Sequence, residues 1–172
     1  MKPILETERL TLREANLDDA AFLLELLNSP GWLQYIGDRG VKNLADARQY
    51  LSNRILKSYT DHGFGLYLMV RKEDQVSLGM CGLIRREGLG DIDIGFALLP
   101  EYMGQGYAFE AAAAVMAYAR DDLKLERIVA ITLPVNTNSI RLLEKIGLQF
   151  ERMFQLPGDG EELMLFGRSF VS

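Results

Sequence analysis

The middle of the chain constrains the fold most, because three β-strand patterns follow one another there with very short connections. Residues 64–71, 76–86 and 91–99 are each rich in residue types that favour strands. The connecting turns, 72–75 and 87–90, are too short for a crossover. Such turns join antiparallel neighbours, whereas a parallel pair needs a long connection. The sequence therefore predicts three antiparallel strands at the centre of a sheet.

Helix and strand patterns alternate around this unit. Asn16 and Asn43 each precede an Asp by three residues, a spacing that predicts helix starts, and Leu10 and Leu12 mark an opening strand. The segments after the central unit predict, in chain order, a helix (108–123), a strand (127–133), a helix (137–146) and two strands (148–156 and 161–170). The predicted fold class is α/β, with a mixed twisted sheet and flanking helices. The helix at 108–123 makes its two neighbouring strands a parallel pair.

Composition excludes several classes of protein. The single Cys, Cys81, forms no internal disulfide, and with the single His, His62, it cannot build a zinc site of the usual kind. A net charge of −5 argues against a general nucleic-acid binder. The apolar runs are too short to cross a membrane. We expect a cytoplasmic protein that forms one domain over residues 1–172, without metal, nucleic-acid or membrane partners.

The loop between the predicted strand 91–99 and the alanine-rich helix suits a pyrophosphate. Gly104 and Gly106 let the backbone approach a ligand with no Cβ in the way. The first N–H groups of the helix lack acceptors within it, and the helix dipole adds partial positive charge. The alternative is an ordinary strand-to-helix turn that contains two glycines.

Three phosphate-binding motifs compete for this loop. A P-loop requires a Gly-Lys pair, which the sequence lacks. The dinucleotide fingerprint GxGxxG requires a small residue where Phe109 stands. The third motif is R/Q-x-x-G-x-G/A. Here Gly106 and Ala108 fill its small positions, and Met103 stands where Arg or Gln is usual.

That third motif belongs to the Gcn5-related N-acetyltransferase (GNAT) superfamily, and other segments also resemble its RimJ/RimL-like branch. The run PEYMGQGYAFEA at 100–111 is similar to the branch's PEYWGQGYATEA. Residues 136–150 resemble its N-x-x-S…LxEKxGF segment, with Asn136 and Ser139 at the matching positions. The opening ERLTLR at 8–13 resembles its first strand. The resemblance covers nearly the whole chain, in the right order.

The resemblance implies a sheet whose fourth and fifth strands, here 91–99 and 127–133, splay apart to receive acetyl-CoA as co-substrate. The pyrophosphate is expected at the N–H groups of the glycine loop, and the pantetheine arm along the exposed strand edge, like an added strand. Asn136 is expected to bond that arm or the splayed backbone. The implied cofactor-binding residues are Phe96, Leu98, Met103, Gly104, Gln105, Gly106, Tyr107, Ala108, Phe109, Asn136 and Ser139.

The implied reaction is direct transfer of the acetyl group from the thioester to an amine. Asp93 is the candidate base, since it stands on the strand where relatives often carry Glu. In the family this strand usually has a bulge, which breaks alternation. With strict alternation, Asp93 shares a face with Asp91, and the alternative is that both carboxylates are simply solvated. A backbone N–H near 96–98 is the expected oxyanion donor.

The leaving thiolate also needs a partner. Many GNAT enzymes carry a Tyr where this chain has Leu143, which cannot donate a proton. In the RimJ/RimL-like branch the Ser of N-x-x-S is the usual substitute, so the resemblance implies Ser139. The alternative for Ser139 is helix capping.

The expected function is that of an acetyl-CoA-dependent N-acetyltransferase. Its acceptor is a primary amine, either a protein N-terminus or a small molecule. A non-catalytic acyl-CoA-binding module is the alternative, favoured by Leu143 and Met103. A nucleotide-binding protein that uses the glycine loop for ATP or NAD is a further alternative. The protein is expected to be a monomer or a homodimer.

Overall fold

A single mixed sheet forms the centre of the computed structural model, which describes residues 3–158 and 160–171. Its strands are β1 (Pro3–Glu6), β2 (Leu10–Glu14), β3 (Leu66–Arg71), β4 (Ser77–Ile84), β5 (Asp93–Leu98), β6 (Arg127–Thr132), β7 (Gln149–Phe154) and β8 (Leu163–Ser169). Across the sheet their order is β1-β2-β3-β4-β5-β6-β8-β7. The pair β5–β6 is parallel and the other described pairs are antiparallel, which confirms the predicted fold class.

Helices lie on both faces of the sheet. They are α1 (Ala20–Leu27), α2 (Pro30–Tyr35), α3 (Leu44–Tyr50), α4 (Leu56–His62), α5 (Tyr107–Asp121) and α6 (Thr137–Lys145). A π-helical turn, Leu51–Ile55, joins α3 to α4. Among the described helices, none has the length and apolarity to cross a membrane.

Two predicted helix starts are confirmed by their caps. The side chain of Asn16 accepts a hydrogen bond from the Asp18 N–H at 2.8 Å and opens a short 3₁₀ turn that leads into α1. The side chain of Asn43 accepts from the Asp46 N–H at 2.8 Å and opens α3. Both caps satisfy N–H groups that a helix start leaves without an acceptor.

Two elements differ from the sequence-based expectation. Strand β1 was not predicted, because it is a four-residue edge strand with no clear alternation of buried and exposed positions. Helix α2, which begins at Pro30, was also not predicted. The fixed φ of proline and its missing N–H suit the first turn of a helix. The predicted turn at 157–160 includes Asp159, which lies outside the described residues.

Each face of the sheet buries its own apolar cluster. One cluster lies under α5 and α6 and contains Leu12, Met69 and Cys81 from the strands. The other lies under α1 to α4 and contains Leu68 and Met80. Adjacent residues of β3 and β4 thus point into opposite clusters, which explains why these strands are apolar almost throughout.

The contact between β4 and β5 depends on Gly79. The two strands pair without interruption from Gly79–Leu98 to Ile84–Asp93. A Cβ on Gly79 would lie 2.1 Å from the carbonyl oxygen of Ala97, which belongs to the backbone of β5 and cannot rotate away. Only glycine therefore allows β5 to lie where it does.

We expect Gly79→Ala to lower the free energy of unfolding by about 2–3 kcal/mol, because the new methyl group forces β4 and β5 apart. Gly90→Ala is the matched control. A Cβ there meets nothing within 4 Å, so its effect should stay within about 0.5 kcal/mol. Urea denaturation of the three proteins measures the difference, and equal stability of both variants contradicts the assigned packing.

Candidate active site

The parallel strands β5 and β6 separate immediately after they meet. Their described pairing consists of one position, Asp93 opposite Val129, with a hydrogen bond of 3.0 Å from the Val129 N–H to the Ile92 carbonyl. Strand β5 continues to Leu98 with β4 on one side and no strand paired on the other among the described residues. A V-shaped cleft thus opens from Asp93 toward the carboxyl ends of both strands.

The hydrogen bonds at the two ends of β5 show which backbone groups face this cleft. The Leu99 N–H donates to Leu78 O at 3.0 Å on the β4 side, whereas Ile92 O accepts on the β6 side. Backbone groups of alternate residues point to opposite sides of a strand. The even-numbered residues Phe96 and Leu98 therefore turn their N–H and C=O groups toward the cleft. This is the edge along which the pantetheine arm was predicted.

The glycine loop lies at the open end of β5 and leads into α5. Gly104 and Gly106 have φ angles of 76° and 84°, a left-handed conformation that glycine adopts at little cost. Within α5, Glu110 is the first residue whose N–H bonds backward, to Gly106 O at 3.0 Å. The preceding N–H groups, from Gly104 to Phe109, have no acceptor among the described residues. A row of free donors thus faces out at a helix start.

Met103 differs from the loop residues that follow it in having its N–H already bonded. Its N–H already donates to Pro100 O at 3.2 Å, so the free donors begin one residue later, at Gly104. The Met103 side chain is half exposed, and a Cβ on Gly31 would lie 3.5 Å from its methyl group. Met103 therefore brings the loop close to the start of α2.

Arg9 and Glu110 anchor the start of α5 to the start of β2. Glu110 accepts hydrogen bonds from the Arg9 N–H and the Arg9 Nε, both at 2.8 Å, and from the Thr7 hydroxyl. The Arg9 guanidinium also lies 4.2 Å from the centre of the Tyr107 ring. A Cβ on Gly106 would meet Arg9 Nη2 at 3.3 Å, so a cation borders the loop. Sequence reasoning missed Arg9.

The ionisation of Glu110 reflects these contacts. Partial burial alone would raise the pKa of the Glu110 carboxyl, but the hydrogen bonds from Thr7 and Arg9 outweigh it and hold that pKa below its ordinary value. The carboxylate is thus ionised and fully engaged at neutral pH. Its negative charge is offset by Arg9 beside the free N–H groups of the loop.

The other arm of the cleft leads into α6. Asn136 caps this helix, because its Oδ1 accepts from the Ser139 N–H at 3.2 Å. Asn136 thus performs the capping that was the alternative for Ser139. The Ser139 hydroxyl is half buried and has no hydrogen-bond partner among the described residues. Leu143 packs in the core and is 1% exposed.

Asp93 lies at the point of the V and is buried. Only 1% of its surface is exposed, so the alternative that Asp93 is simply solvated is wrong. The expected bulge is also missing, since the register between β4 and β5 is continuous through Asp93. Burial comes instead from the neighbours on either side, Ile84 of β4 and Val129 of β6. Asp91 is exposed and pairs with Arg127 at 3.1 Å.

Burial also sets the ionisation of Asp93. It raises the pKa of this carboxyl above its ordinary value, and the Arg86 guanidinium, 3.3 Å away, opposes the rise. A carboxylate with a raised pKa is a stronger base than one in water.

Cys81 belongs to the core and not to the cleft. It is 0% exposed, and burial raises the pKa of its thiol to about 12. A thiol in this state provides almost no thiolate, which is the nucleophilic form. Among the described residues there is also no group of three His, Cys, Asp or Glu side chains that could hold a metal ion.

Comparison with known proteins assigns the chain to a family. A family model described as an acetyltransferase (GNAT) domain matches residues 9–149. The chain belongs to the GNAT acetyltransferases. This membership confirms the resemblance drawn from the glycine loop and the segment at 136–150, and it identifies the chain as an N-acetyltransferase.

Individual relatives agree with this assignment. The chain is 32% identical over 153 residues to a protein of Bacillus licheniformis named uncharacterized N-acetyltransferase p20, covering 88% of this chain and 85% of that one. A GNAT-family acetyltransferase structure from Bacillus anthracis superposes with a TM-score of 0.79 at 26% identity, over 96% of this chain and 97% of that one. The ribosomal L7/L12 α-N-protein acetyltransferase RimL, solved with coenzyme A, has the same fold, with a TM-score of 0.82 at 20% identity over 98% of each chain.

The anchor between Arg9 and Glu110 gives a pH-dependent prediction for this GNAT enzyme. The folded-state pKa of Glu110 is lowered from an ordinary value of 4.5, so its contribution to stability is present above that pH and is lost as the pH falls through the folded pKa. We expect Glu110→Gln to cost about 1–2 kcal/mol at neutral pH. The cost should shrink in acid below pH 4.5.

Chemical denaturation at several pH values measures this difference. Glu101→Gln is the matched control, because Glu101 is exposed on the connection that leads into α5 and its carboxylate has no partner among the described residues. It should change stability little at any pH. A Glu110→Gln cost that is independent of pH contradicts the assignment of an ionised, hydrogen-bonded carboxylate.

Proposed function

We propose that this GNAT enzyme takes acetyl-CoA as its donor and transfers the acetyl group directly to a primary amine. The observation that carries the proposal is the unpaired edge of β5. It turns the backbone of Phe96 and Leu98 into a cleft whose open end carries the free N–H groups of Gly104 to Phe109. An extended amide arm with a pyrophosphate at its end has the chemistry to satisfy both.

The glycine loop fits the pyrophosphate on geometric grounds. The loop residues Gly104, Gln105 and Gly106 are exposed, and α5 is fifteen residues long, so its dipole is well developed. The proposed donors are the N–H groups of Gly104, Gln105, Gly106, Tyr107, Ala108 and Phe109. Met103 has an acceptor of its own and contributes through the position of its side chain. Arg9, which is paired with Glu110, borders the loop.

The pantetheine arm is proposed to pair with β5 as an added strand. The N–H and C=O groups of Phe96 and Leu98 are the partners, because they face the cleft and those of Ala97 face β4. One of these two N–H groups is then the oxyanion donor for the acetyl carbonyl. Asn136 keeps its Oδ1 on the α6 cap, so its amide nitrogen is the group we propose for the arm or the splayed backbone.

The reaction has three steps, which are loss of a proton from the ammonium, attack on the thioester and departure of the thiolate. Asp93, directly or through a water, accepts the proton of the acceptor ammonium and frees its lone pair. The amine nitrogen then bonds to the thioester carbon, and the negative charge on the oxygen is stabilised by the backbone N–H. Collapse breaks the carbon–sulfur bond, and the departing thiolate, stabilised by the Ser139 hydroxyl, takes up the second proton that the nitrogen loses as it becomes an amide. The products are an acetylated amine and CoA.

Direct transfer is favoured over an acetyl-cysteine intermediate. Cys81 is fully buried under α5 with its thiol protonated, so it reaches no thioester in the cleft. The acetyl group therefore passes from sulfur to nitrogen while both substrates are bound.

The acceptor is proposed to be a protein N-terminus or a small-molecule amine. The similarity of fold to an α-N-protein acetyltransferase supports the first. Residues 1–172 are proposed to act as one domain, which the continuous sheet supports. The cytoplasmic location and the monomeric or homodimeric state stay predictions.

We expect Gly106→Ala to weaken acetyl-CoA binding about tenfold or more. The left-handed φ of 84° strains any residue with a Cβ, and the new methyl group pushes toward Arg9, so the donors of the loop move. Thermal unfolding with and without acetyl-CoA measures the effect, since a ligand at 100 times its Kd adds about 2.7 kcal/mol.

Gly63→Ala is the matched control. Gly63 has a similar φ of 80° but ends α4, far along the chain from the loop. Both variants should lose about 1–2 kcal/mol of intrinsic stability, whereas only Gly106→Ala should lose response to acetyl-CoA. An unchanged response in Gly106→Ala, or no response in the wild type, refutes the loop as the pyrophosphate site.

We expect Asp93→Asn to lower kcat/KM by about 100-fold or more, because an amide cannot accept the proton of an ammonium. Binding of acetyl-CoA should remain, since Asp93 lies beyond the proposed donor contacts. Release of free CoA thiol with seryl and alanyl peptides and small alkyl amines measures activity. Asp91→Asn, an exposed carboxylate on the same strand segment, is the control and should retain activity. Full activity in Asp93→Asn removes the base role.

A further inference from the structure

Among the described residues, the Asp93 carboxylate at the point of the cleft has one charged partner, and it comes from the β4–β5 connection. Arg86 Nη2 donates to Asp93 Oδ2 at 3.3 Å. The Asp93 side chain is 2% exposed and that of Arg86 is 28% exposed, so the contact is shielded from water on one side only. The register pairs Asp93 with Ile84, and Arg86 lies two residues further along, where the connection turns back over the strand end.

The pair is only half satisfied. Three buried side-chain N or O atoms lack a hydrogen-bond partner among the described residues, and two of them belong to this contact, Arg86 Nε and Asp93 Oδ1. Buried polar atoms without partners are rare in folded proteins and cost free energy. Asp93 Oδ1 can therefore accept a further hydrogen bond while Oδ2 keeps its contact with Arg86.

The position of Arg86 is fixed by its own loop. Its carbonyl accepts from the Leu89 N–H at 3.2 Å, and Gly88 follows with a φ of 84°. A Cβ on Gly88 would lie 2.5 Å from Cδ of Pro157, so the β4–β5 and β7–β8 connections meet at that point. Arg86 is thus carried by a closed turn that a second loop supports.

Two other carboxylates near this end of β5 already have a cationic partner. Asp91 and Glu151 both pair with Arg127 of β6. The residues opposite Asp93 on the two neighbouring strands, Ile84 and Val129, carry no charge. Arg86 is therefore the charged side chain on which the state of Asp93 depends.

We propose that Arg86 is a positioning residue, which keeps the buried Asp93 ionised and leaves its Oδ1 free to accept the proton of the acceptor amine. This inference rests on the proposed base role of Asp93. An isolated carboxylate in an apolar setting takes up a proton and stops being a base. A neighbouring guanidinium prevents this, and contact with Oδ2 alone leaves the other oxygen available.

The test is a titration of the Asp93 carboxyl by carbon-13 NMR, with the signal assigned from its loss in Asp93→Asn. This measurement needs no acceptor amine. We expect Arg86→Met to raise the titration midpoint of Asp93 by about one pH unit or more, since a neighbouring opposite charge is worth about 1–3 units. Arg86→Lys keeps the charge and should give a smaller change. Arg85→Met removes an exposed neighbouring charge and should give none. If Arg86→Met does not fold, Arg86→Gln takes its place.

An unchanged midpoint in the variant without the Arg86 charge overturns the inference, as does an Asp93 that never changes protonation in either protein while both remain folded. A shift of equal size in Arg85→Met also overturns it, because the effect is then one of general charge.

Kinetics separate this inference from the proposed function. With the amine that turns over best in the panel, Arg86→Met should move the acidic limb of the kcat/KM profile to higher pH. Activity below the limb should then fall about tenfold for each unit moved, with the KM for acetyl-CoA unchanged. If Asp93→Asn is inactive but the acidic limb does not move, the role proposed for Arg86 is wrong and the base role of Asp93 stands. If Asp93→Asn is fully active, the base role itself fails.

Discussion

The cleft exists because the pairing between β5 and β6 is very short. Strands β5 and β6 meet at Asp93 and Val129 and then diverge, although β5 continues to Leu98. Everything proposed for the site follows from that divergence, because it leaves a backbone edge unpaired in the middle of a sheet. Unpaired edges are normally avoided, since they recruit other strands. Here the unpaired edge lies inside the sheet, between β5 and β6, and it is the edge along which we propose that the pantetheine arm binds.

Electrostatics divides the cleft into two regions with different tasks. At its open end, free N–H groups and the helix dipole supply partial positive charge without a lysine in the loop, while Arg9 is paired with Glu110. At its closed end, Asp93 and Arg86 form a buried pair that is incomplete. The first region suits permanent negative charge, whereas the second suits a proton that moves. The fold keeps them apart by the length of β5.

The sequence was sufficient where the determinant is local. Caps at Asn16 and Asn43, the central strands and the glycine loop each depend on neighbouring residues, and the structure contains all of them. Contacts between distant segments left no local signal. Arg9 binds Glu110, which lies 101 residues later in the chain, and no pattern in ERLTLR predicts that contact. The burial of Asp93 likewise comes from neighbouring strands, so alternation along β5 could not reveal it.

The short pairing between β5 and β6 divides the sheet into two parts, β1 to β5 and β6 to β8, which are paired at one position only among the described residues. Helix α5 connects the two parts along the chain, because it follows β5 and precedes β6. In the complex that we propose, the pantetheine arm pairs with β5 and supplies hydrogen bonds that the free chain lacks there. The continuity of the sheet is then a property of the complex rather than of the chain alone.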